Sequence, residues 1–330
     1  MTTSPLKIGL IGAGGISNSH LPHLLALGAE VYVYSEEGAP DLVARYGGTV
    51  VDTLEELLDL VDYVDVATPT FTHFGLVKRA LEAGKDVISE KPLARTDAEA
   101  SELVALAAST GRSLYPAHVV RFFPEYVRLY EAVKSGVLGD LAVLRFSRSG
   151  AFPTRTPWFA DRALSGGIIM DQMIHDIDIA RWVAGEVTRV SAISTRAGTP
   201  EAPVEAAHVL LTHASGAISH IAGLWGPAHV VFTTEYSVTG TLGSLEHSSA
   251  AEKNYVANLA ATTAQGGLLP DVDPAENPYF VEIREFTAAF AGGPAPRVTD
   301  RDGAEAVRLA NAALTSLETG QPVDLTETGK

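Results

Sequence analysis

The chain has 330 residues, 46% of them hydrophobic and 19% charged, a balance that suits two globular domains and excludes a disordered chain. A formal net charge of −16, with no basic run to offset it, repels phosphate backbones and anionic bilayers, so neither nucleic acid nor a membrane is an expected partner. There are no cysteines, which excludes disulfides, thiolate metal ligands and a cysteine nucleophile and is compatible with the expected cytoplasmic location.

Met1 to Pro5 is short and polar, and the apolar run Leu6–Ile11 is too short for a signal peptide. No segment reaches the ~18 continuous apolar residues of a membrane span. Leu6–Ile11 reads as a strand and Ile16–Leu27 as a helix carrying leucines and histidines at helical spacing. Strands follow at Glu30–Tyr34, Gly48–Val51, Tyr63–Ala67, Asp86–Ser89 and Ser113–Ala117. Helices alternate with them at Asp41–Tyr46, Leu54–Leu60, Thr72–Ala83 and Asp97–Ser109. That alternation predicts a parallel sheet with helices on both faces.

The pattern then changes, and a domain boundary is placed near His118, giving expected domains 1–118 and 119–330. A helix at Pro124–Ser135, a strand at Leu141–Ser149 and a long amphipathic helix at Gly166–Val183 come first. Between Val187 and about Leu245 come VTRVSAIST, AAHVLLTH, GAISHIAGLW, HVVFTTEYSVTG and GSLEH, strand-like runs without intervening helices. They predict a large, mainly antiparallel sheet. Ala260–Pro278, rich in Gly, Ala and Pro, reads as a loop, and two helices close the chain near Phe280–Phe290 and Asp302–Leu317.

The turn after the first strand reads Gly12-Ala13-Gly14-Gly15-Ile16-Ser17. The first glycine permits a tight turn, and the second lets backbone approach a pyrophosphate at a helix N-terminus. Ser17 stands where Gly or Ala is usual, a mild departure since serine is also small. A tight turn without ligand is the competing reading; placement between a strand and a helix favours a dinucleotide held by Gly12, Gly14, Gly15 and Ile16. At the end of the second strand the ribose-reading position is Ser35-Glu36-Glu37, with Ser35 replacing the usual acidic residue. A carboxylate at Glu36 would accept ribose hydroxyls and repel a 2′-phosphate, and no Arg or Lys is close in sequence, so NAD is expected over NADP. Glu36 reads as well as an ordinary solvated loop charge.

Two further segments, Thr68-Pro69-Thr70-Phe71-Thr72-His73 and Glu90-Lys91-Pro92, follow predicted strands, where open α/β sheets bind ligands. A lysine there can stabilise negative charge developing on a substrate oxygen, although a surface loop is the commoner fate of lysine. In Gly166-Gly167-x₃-Asp171-x₃-His175-x₂-Asp178 the polar residues are spaced i, i+4 and i+7 and share one helical face. General acid–base chemistry, a metal site and a plain polar face all fit that spacing. It is a loose match to metal ligands, and no metal is expected.

Taken together, these signatures make the chain resemble the glucose–fructose oxidoreductase/inositol dehydrogenase (Gfo/Idh/MocA) family over nearly its whole length. The resemblance is carried by GAGGIS, ATPTFTHFGLVKRALEAGKDVISEKPLA, RFFPEYVRLYEAVKSGVLGDL, WFAD, GGIIMDQMIHDIDIARWVAG, EFTAAF and VTDRDGAEAVRLANAALTSLETGQPV. It implies an α/β Rossmann domain plus an α+β domain with a large open sheet, used for dimers or tetramers, and a last helix, about 302–318, packed back on the first domain. It implies Lys91 as catalytic lysine with Asp171 and His175 as its acidic and histidine partners. It places Thr68, Pro69, His73, Glu90 and Lys91 at the cofactor and makes Lys91–Pro92 a cis peptide. His118, Arg121 and Trp158 become candidate substrate contacts; core packing is the rival reading for Trp158.

The expected reaction moves a hydride between nicotinamide and a hydroxyl-bearing carbon of a sugar, cyclitol or related polyol. His175 would take the hydroxyl proton, Lys91 would stabilise the alkoxide and Asp171 would position the pair. The alternatives are an NAD-dependent glycosidase with transient substrate oxidation and a non-enzymatic nucleotide-binding regulator. The Lys91, Asp171 and His175 set speaks against the regulator, which has no chemical need for all three.

Overall fold

The computed structural model describes residues 5–154, 156–199, 202–251, 255–259 and 276–325. They fall into two compact units, Met1–Phe122 with Ala275–Val307, and Phe123–Pro274 with Arg308–Lys330.

The first unit is built on six parallel strands: β1 (Lys7–Ile11), β2 (Glu30–Tyr34), β3 (Thr49–Val50), β4 (Tyr63–Val66), β5 (Asp86–Glu90) and β6 (Leu114–Ala117). Their order is β3-β2-β1-β4-β5-β6, the doubly wound arrangement. β4 is buried at every position, as a strand covered on both faces requires. The connecting helices are α1 (Ser17–Ala26), α2 (Ala39–Tyr46), α3 (Leu54–Leu60), α4 (Thr70–Glu82) and α5 (Asp97–Thr110). Local sequence sets several of their ends. Thr53 caps α3, and Thr96 and Glu99 form a reciprocal capping box on α5, which Gly111 closes in the left-handed region at φ +65°.

A 3₁₀ turn, Val119–Phe122, follows β6. The chain returns to this unit with α9 (Pro278–Phe290), which packs on α1 and on that turn. Ile283 and Phe286, both 0% exposed, join Ile8, Leu10, Leu21 and Leu24 in one core. Tyr115 stacks on Phe286 and Phe290 at 5.2 and 4.9 Å between ring centroids.

The second unit holds α6 (Pro124–Lys134), α7 (Arg162–Ser165), α8 (Ile174–Ala184) and an eight-stranded sheet. Its strands are β7 (Leu141–Ala151), β8 (Val187–Thr199), β9 (Ala202–His213), β10 (Ile218–Gly226), β11 (Thr233–Gly240), β12 (Gly243–Ser248), β13 (Tyr255–Leu259) and β14 (Val323–Asp324). The order is β13-β12-β11-β7-β10-β9-β8-β14. Every pairing is antiparallel except β7 with β10, so the sheet is mixed but mainly antiparallel. The last helix, α10 (Asp300–Thr319), begins in the first unit's residues and ends in the second's.

The expected long helix Gly166–Val183 is present, helical from 167 to 184, with a π turn inside it. Gly166 and Gly167 adopt φ +77° and +66° after α7, and a π turn at Ile169–Met173 precedes α8. Gly167 has a second reason to be glycine: a Cβ there would lie 2.8 Å from Glu205 Oε1. Of the expected loop Ala260–Pro278, residues 260–275 lie outside the described residues, and Pro278 opens α9.

Candidate functional site

In the first unit, the crevice where strand order reverses lies at the carboxyl ends of β1 and β4. Gly12 turns there at φ +111°, and a Cβ would sit 2.3 Å from the Ala67 carbonyl, so no other residue fits. Its amide donates to Tyr34 O at the end of β2, 2.8 Å away. Gly14 and Gly15, by contrast, face open space, with no atom within 4 Å of a built Cβ. Backbone exposed just before the N-terminus of α1 suits a pyrophosphate, so these residues fit the group that the glycine pattern implies. Ser17 is not only small: its hydroxyl donates to Gly12 O at 3.0 Å and fastens the turn from inside. Asn18 donates to Gly14 O and Gly15 O and accepts from Arg45, a cation brought to this turn from α2 that sequence order had hidden. Ser35 follows β2 directly and is half-buried, and Glu36 is exposed.

His73 ties the other two segments together. Its Nδ1 is 2.7 Å from Pro92 O and its Nε2 is 2.8 Å from Thr68 O, with the residue 1% exposed. Burial pushes it below the ordinary histidine range, against the two carbonyls that favour its charged form. Thr72 closes the same loop onto Thr68 Oγ1 and Pro69 O. Glu90 is buried at the end of β5, and its Oε2 accepts the Lys91 amide at 3.0 Å. The Lys91–Pro92 peptide is cis and Lys91 is half-buried. His118 and Arg121 are each 1% exposed; the Arg121 guanidinium donates to Arg297 O at 2.8 Å and pairs with Asp302 at 3.3 Å.

In the second unit, Asp171 lies in the π turn and His175 in the first turn of α8, both half-buried. π turns are rare and recur at functional sites. Asp176, next to His175 in α8, pairs with the sheet. Its two oxygens accept Nε and a terminal nitrogen of Arg148 on β7, each at 2.9 Å, a buried bidentate pair that pins α8 to the sheet. Gln172 donates to Arg148 O at 2.8 Å, and Gly223 leaves room for Met173, whose side chain a Cβ would meet at 2.5 Å. Asp178 is buried. Trp158 is half-buried in a 3₁₀ turn, Pro157–Ala160, and stacks on Phe159 at 3.9 Å, so one of its faces is already used. Among the described residues no group of three or more His, Asp or Glu side chains is arranged to hold a metal ion, and no helix is long and apolar enough to cross a membrane.

One further group, His20, went unread in the sequence. It sits on the buried face of α1 and bonds both Asp65 and Glu90. The signal was available in Asp65: a carboxylate inside the apolar strand YVDVA must find a partner.

Comparison with known proteins adds an independent line. Residues 6–118 match the model "Oxidoreductase family, NAD-binding Rossmann fold", and residues 126–246 match "GFO/IDH/MocA C-terminal domain". The chain is similar to 1,5-anhydro-D-fructose reductase of Ensifer adhaerens, 30% identical over 97% of this chain and 98% of the relative. It is equally similar to inositol 2-dehydrogenase 2 of Paenarthrobacter aurescens, 30% identical over 95% and 96%. Among solved structures, GenD2 from gentamicin A biosynthesis, in complex with NAD, superposes with a TM-score of 0.83 at 25% identity, over 99% of this chain and 98% of that one.

Proposed function

The chain belongs to the Gfo/Idh/MocA family of oxidoreductases, and from that premise we propose that it is a dehydrogenase of sugars, cyclitols or related polyols. The observation that carries the reading is the pairing of an open glycine cradle at the end of β1 with an intact Glu90-Lys91-Pro92 turn at the end of β5. The relatives' names, a sugar reductase and an inositol dehydrogenase, supply the substrate class.

Gly12, Gly14, Gly15 and Ile16 would hold the pyrophosphate, and Ser35 and Glu36 would meet the ribose. Thr68, Pro69, His73 and Glu90 would shape the pocket of the nicotinamide, which when bound accepts or donates hydride. Glu36, with no Arg or Lys in Ser35–Gly38, favours NAD over NADP. Lys91 donates a hydrogen bond to the substrate oxygen and stabilises its developing charge. His175 takes the hydroxyl proton, or returns it in reduction, and Asp171 orients the imidazole. His118, Arg121 and Trp158 stay as proposed substrate contacts. The cysteine-free chain needs no oxidising compartment, which suits the cytoplasm. The open face of the second sheet, with Ile193, Leu210 and Ile218 at 68%, 47% and 47% exposure, would join copies of this chain into a homo-oligomer.

A panel of inositols, aldoses and uronates, followed by nicotinamide absorbance with NAD and NADP separately, tests the reading. Turnover of at least one polyol is expected, with Lys91→Ala reducing kcat/KM by about 10²–10⁴-fold while NAD still binds. Cleavage of a glycoside with no net change in nicotinamide, or full turnover by the Lys91→Ala enzyme, would reject it.

A further inference from the structure

Four acidic or basic side chains converge inside the first unit: His20 on α1, Asp65 on β4, Glu90 on β5 and Glu282 on α9, of which His20, Asp65 and Glu282 are 0% exposed. His20 Nδ1 lies 2.7 Å from Asp65 Oδ2, and its Nε2 lies 3.0 Å from Glu90 Oε1. Ionised carboxylates only accept, so a ring facing one at each nitrogen must donate from both, which imidazolium alone can do. Glu90 turns its remaining oxygen, Oε2, to the Lys91 amide at 3.0 Å. A single ring therefore links the helix that opens at the glycine turn to the residue preceding Lys91.

The charges in this cluster are interdependent. Burial opposes the charge on His20, but Asp65 and Glu90 outweigh it and hold the ring well above the ordinary histidine range. Burial likewise opposes charge on Glu90, but the hydrogen bond and charge of His20, then Lys91 and His73, hold it below the usual carboxylate range. Glu282 goes the other way: burial first, then the charge of Glu90, raises it well above the usual carboxylate range against the pull of His20, with Asp65 and Glu285 adding to the rise. Neither of its carboxyl oxygens, nor Asp65 Oδ1, has a hydrogen-bond partner among the described residues. His23 on α1 feels the His20 charge, Tyr63 on β4 feels Asp65, and the Tyr279 ring lies 6.1 Å from that of His20.

We propose that His20 is a positioning residue for Lys91: its ring, bonded at both nitrogens, holds the Glu90 carboxylate in the pose whose second oxygen anchors the Lys91 amide. This rests on the reading of Lys91 as catalytic. Without the imidazolium, Glu90 would be a buried carboxylate without the cation that holds it, and it would take up a proton or swing away. A protonated or displaced Glu90 no longer fixes the Lys91 backbone, and an error of about 1 Å in a reacting group costs on the order of 10²-fold in rate.

The test compares His20→Gln with the wild-type holoenzyme. In the variant kcat should fall about 10- to 100-fold. KM and the NADH dissociation constant, read by fluorescence, should move less than about threefold. The acid limb of its kcat–pH profile should shift to higher pH, because Glu90 now protonates more readily, and that shift should vanish when Glu90→Gln is the common background. A wild-type kcat in His20→Gln, or a pH profile that does not move, overturns the proposal. If the variant does not fold, ¹⁵N-histidine spectra of the wild-type holoenzyme decide: both His20 ring nitrogens should be protonated at neutral pH, and a neutral ring overturns it. Lys91→Ala is assayed in parallel. Retained turnover there removes the catalytic reading itself, whereas collapse in Lys91→Ala beside normal turnover in His20→Gln removes only this inference.

Discussion

At the scale of single residues, the first unit concentrates its unusual protonation in side chains that composition hides. Glu282 is a carboxyl with no exposed surface, held well above the usual glutamate range first by burial and then by Glu90 and Asp65. The folded chain keeps its proton while the unfolded chain loses it above about pH 4.5, so Glu282 subtracts stability increasingly as pH rises from there toward its folded value. His20 acts in the same sense. Its stabilising charge is complete below about pH 6.5 and is lost as pH climbs through its raised folded value. Glu282→Gln should therefore stabilise the protein, little at about pH 4 and more at about pH 8. Urea unfolding across that range checks it; a pH-independent difference would mean that the carboxyl is not held neutral.

The elements carry a different argument, since they place the side chains of the proposed site through residues with no proposed chemical role. Asp176 neighbours His175 in sequence yet faces β7, where Arg148 grips both of its oxygens and also reaches Tyr126 Oη at 3.3 Å. Asp176 raises the Arg148 guanidinium above its ordinary range in spite of burial. Arg148→Met leaves Asp176 buried without its cation and should cost about 3–5 kcal/mol. Arg148→Met with Asp176→Leu should recover much of that loss, because a buried ion pair contributes little over a packed apolar pair. Chemical denaturation of the single and double variants measures both. Equal stability of Arg148→Met and wild type would show that the pair does not pin α8.

For the whole molecule, the division of labour follows the two sheets. The parallel sheet is covered on both faces, with α9 returning late in the chain to bury Ile283 and Phe286 against residues from its start. The mainly antiparallel sheet buries Val209, Leu211 and Ile221 on one side and leaves Ile193, Leu210 and Ile218 exposed on the other. On that outer side His208 and His220 stack on adjacent strands, with Nδ1 and Nε2 3.0 Å apart. An apolar face of this kind is what a second copy would cover. Leu210→Glu should shift the protein to a smaller species in sedimentation while its circular dichroism spectrum stays that of the wild type, because the residue is exposed in the single chain. A wild-type protein that sediments as a monomer would reject the assembly.

Much of the fold was legible because it is written in local pattern. Strand and helix periods, the Gly12–Ser17 turn after a strand, and capping residues such as Thr96 and Glu99 act over a few positions and need no distant partner. Glu90-Lys91-Pro92 and Asp171-x₃-His175 could likewise be found as spaced motifs. What the tertiary structure decided was every property that depends on chain segments far apart. It set a π turn, Ile169–Met173, inside the helix expected at Gly166–Val183, and it fixed glycine at 167, where Glu205 from another strand leaves no space for a Cβ. It added β14 to the sheet edge, returned α9 to the first core, and closed His20, Asp65, Glu90 and Glu282 into one charge cluster. Burial and long-range electrostatics arise from such meetings, and a one-dimensional pattern holds no record of which distant groups will share a low-dielectric interior.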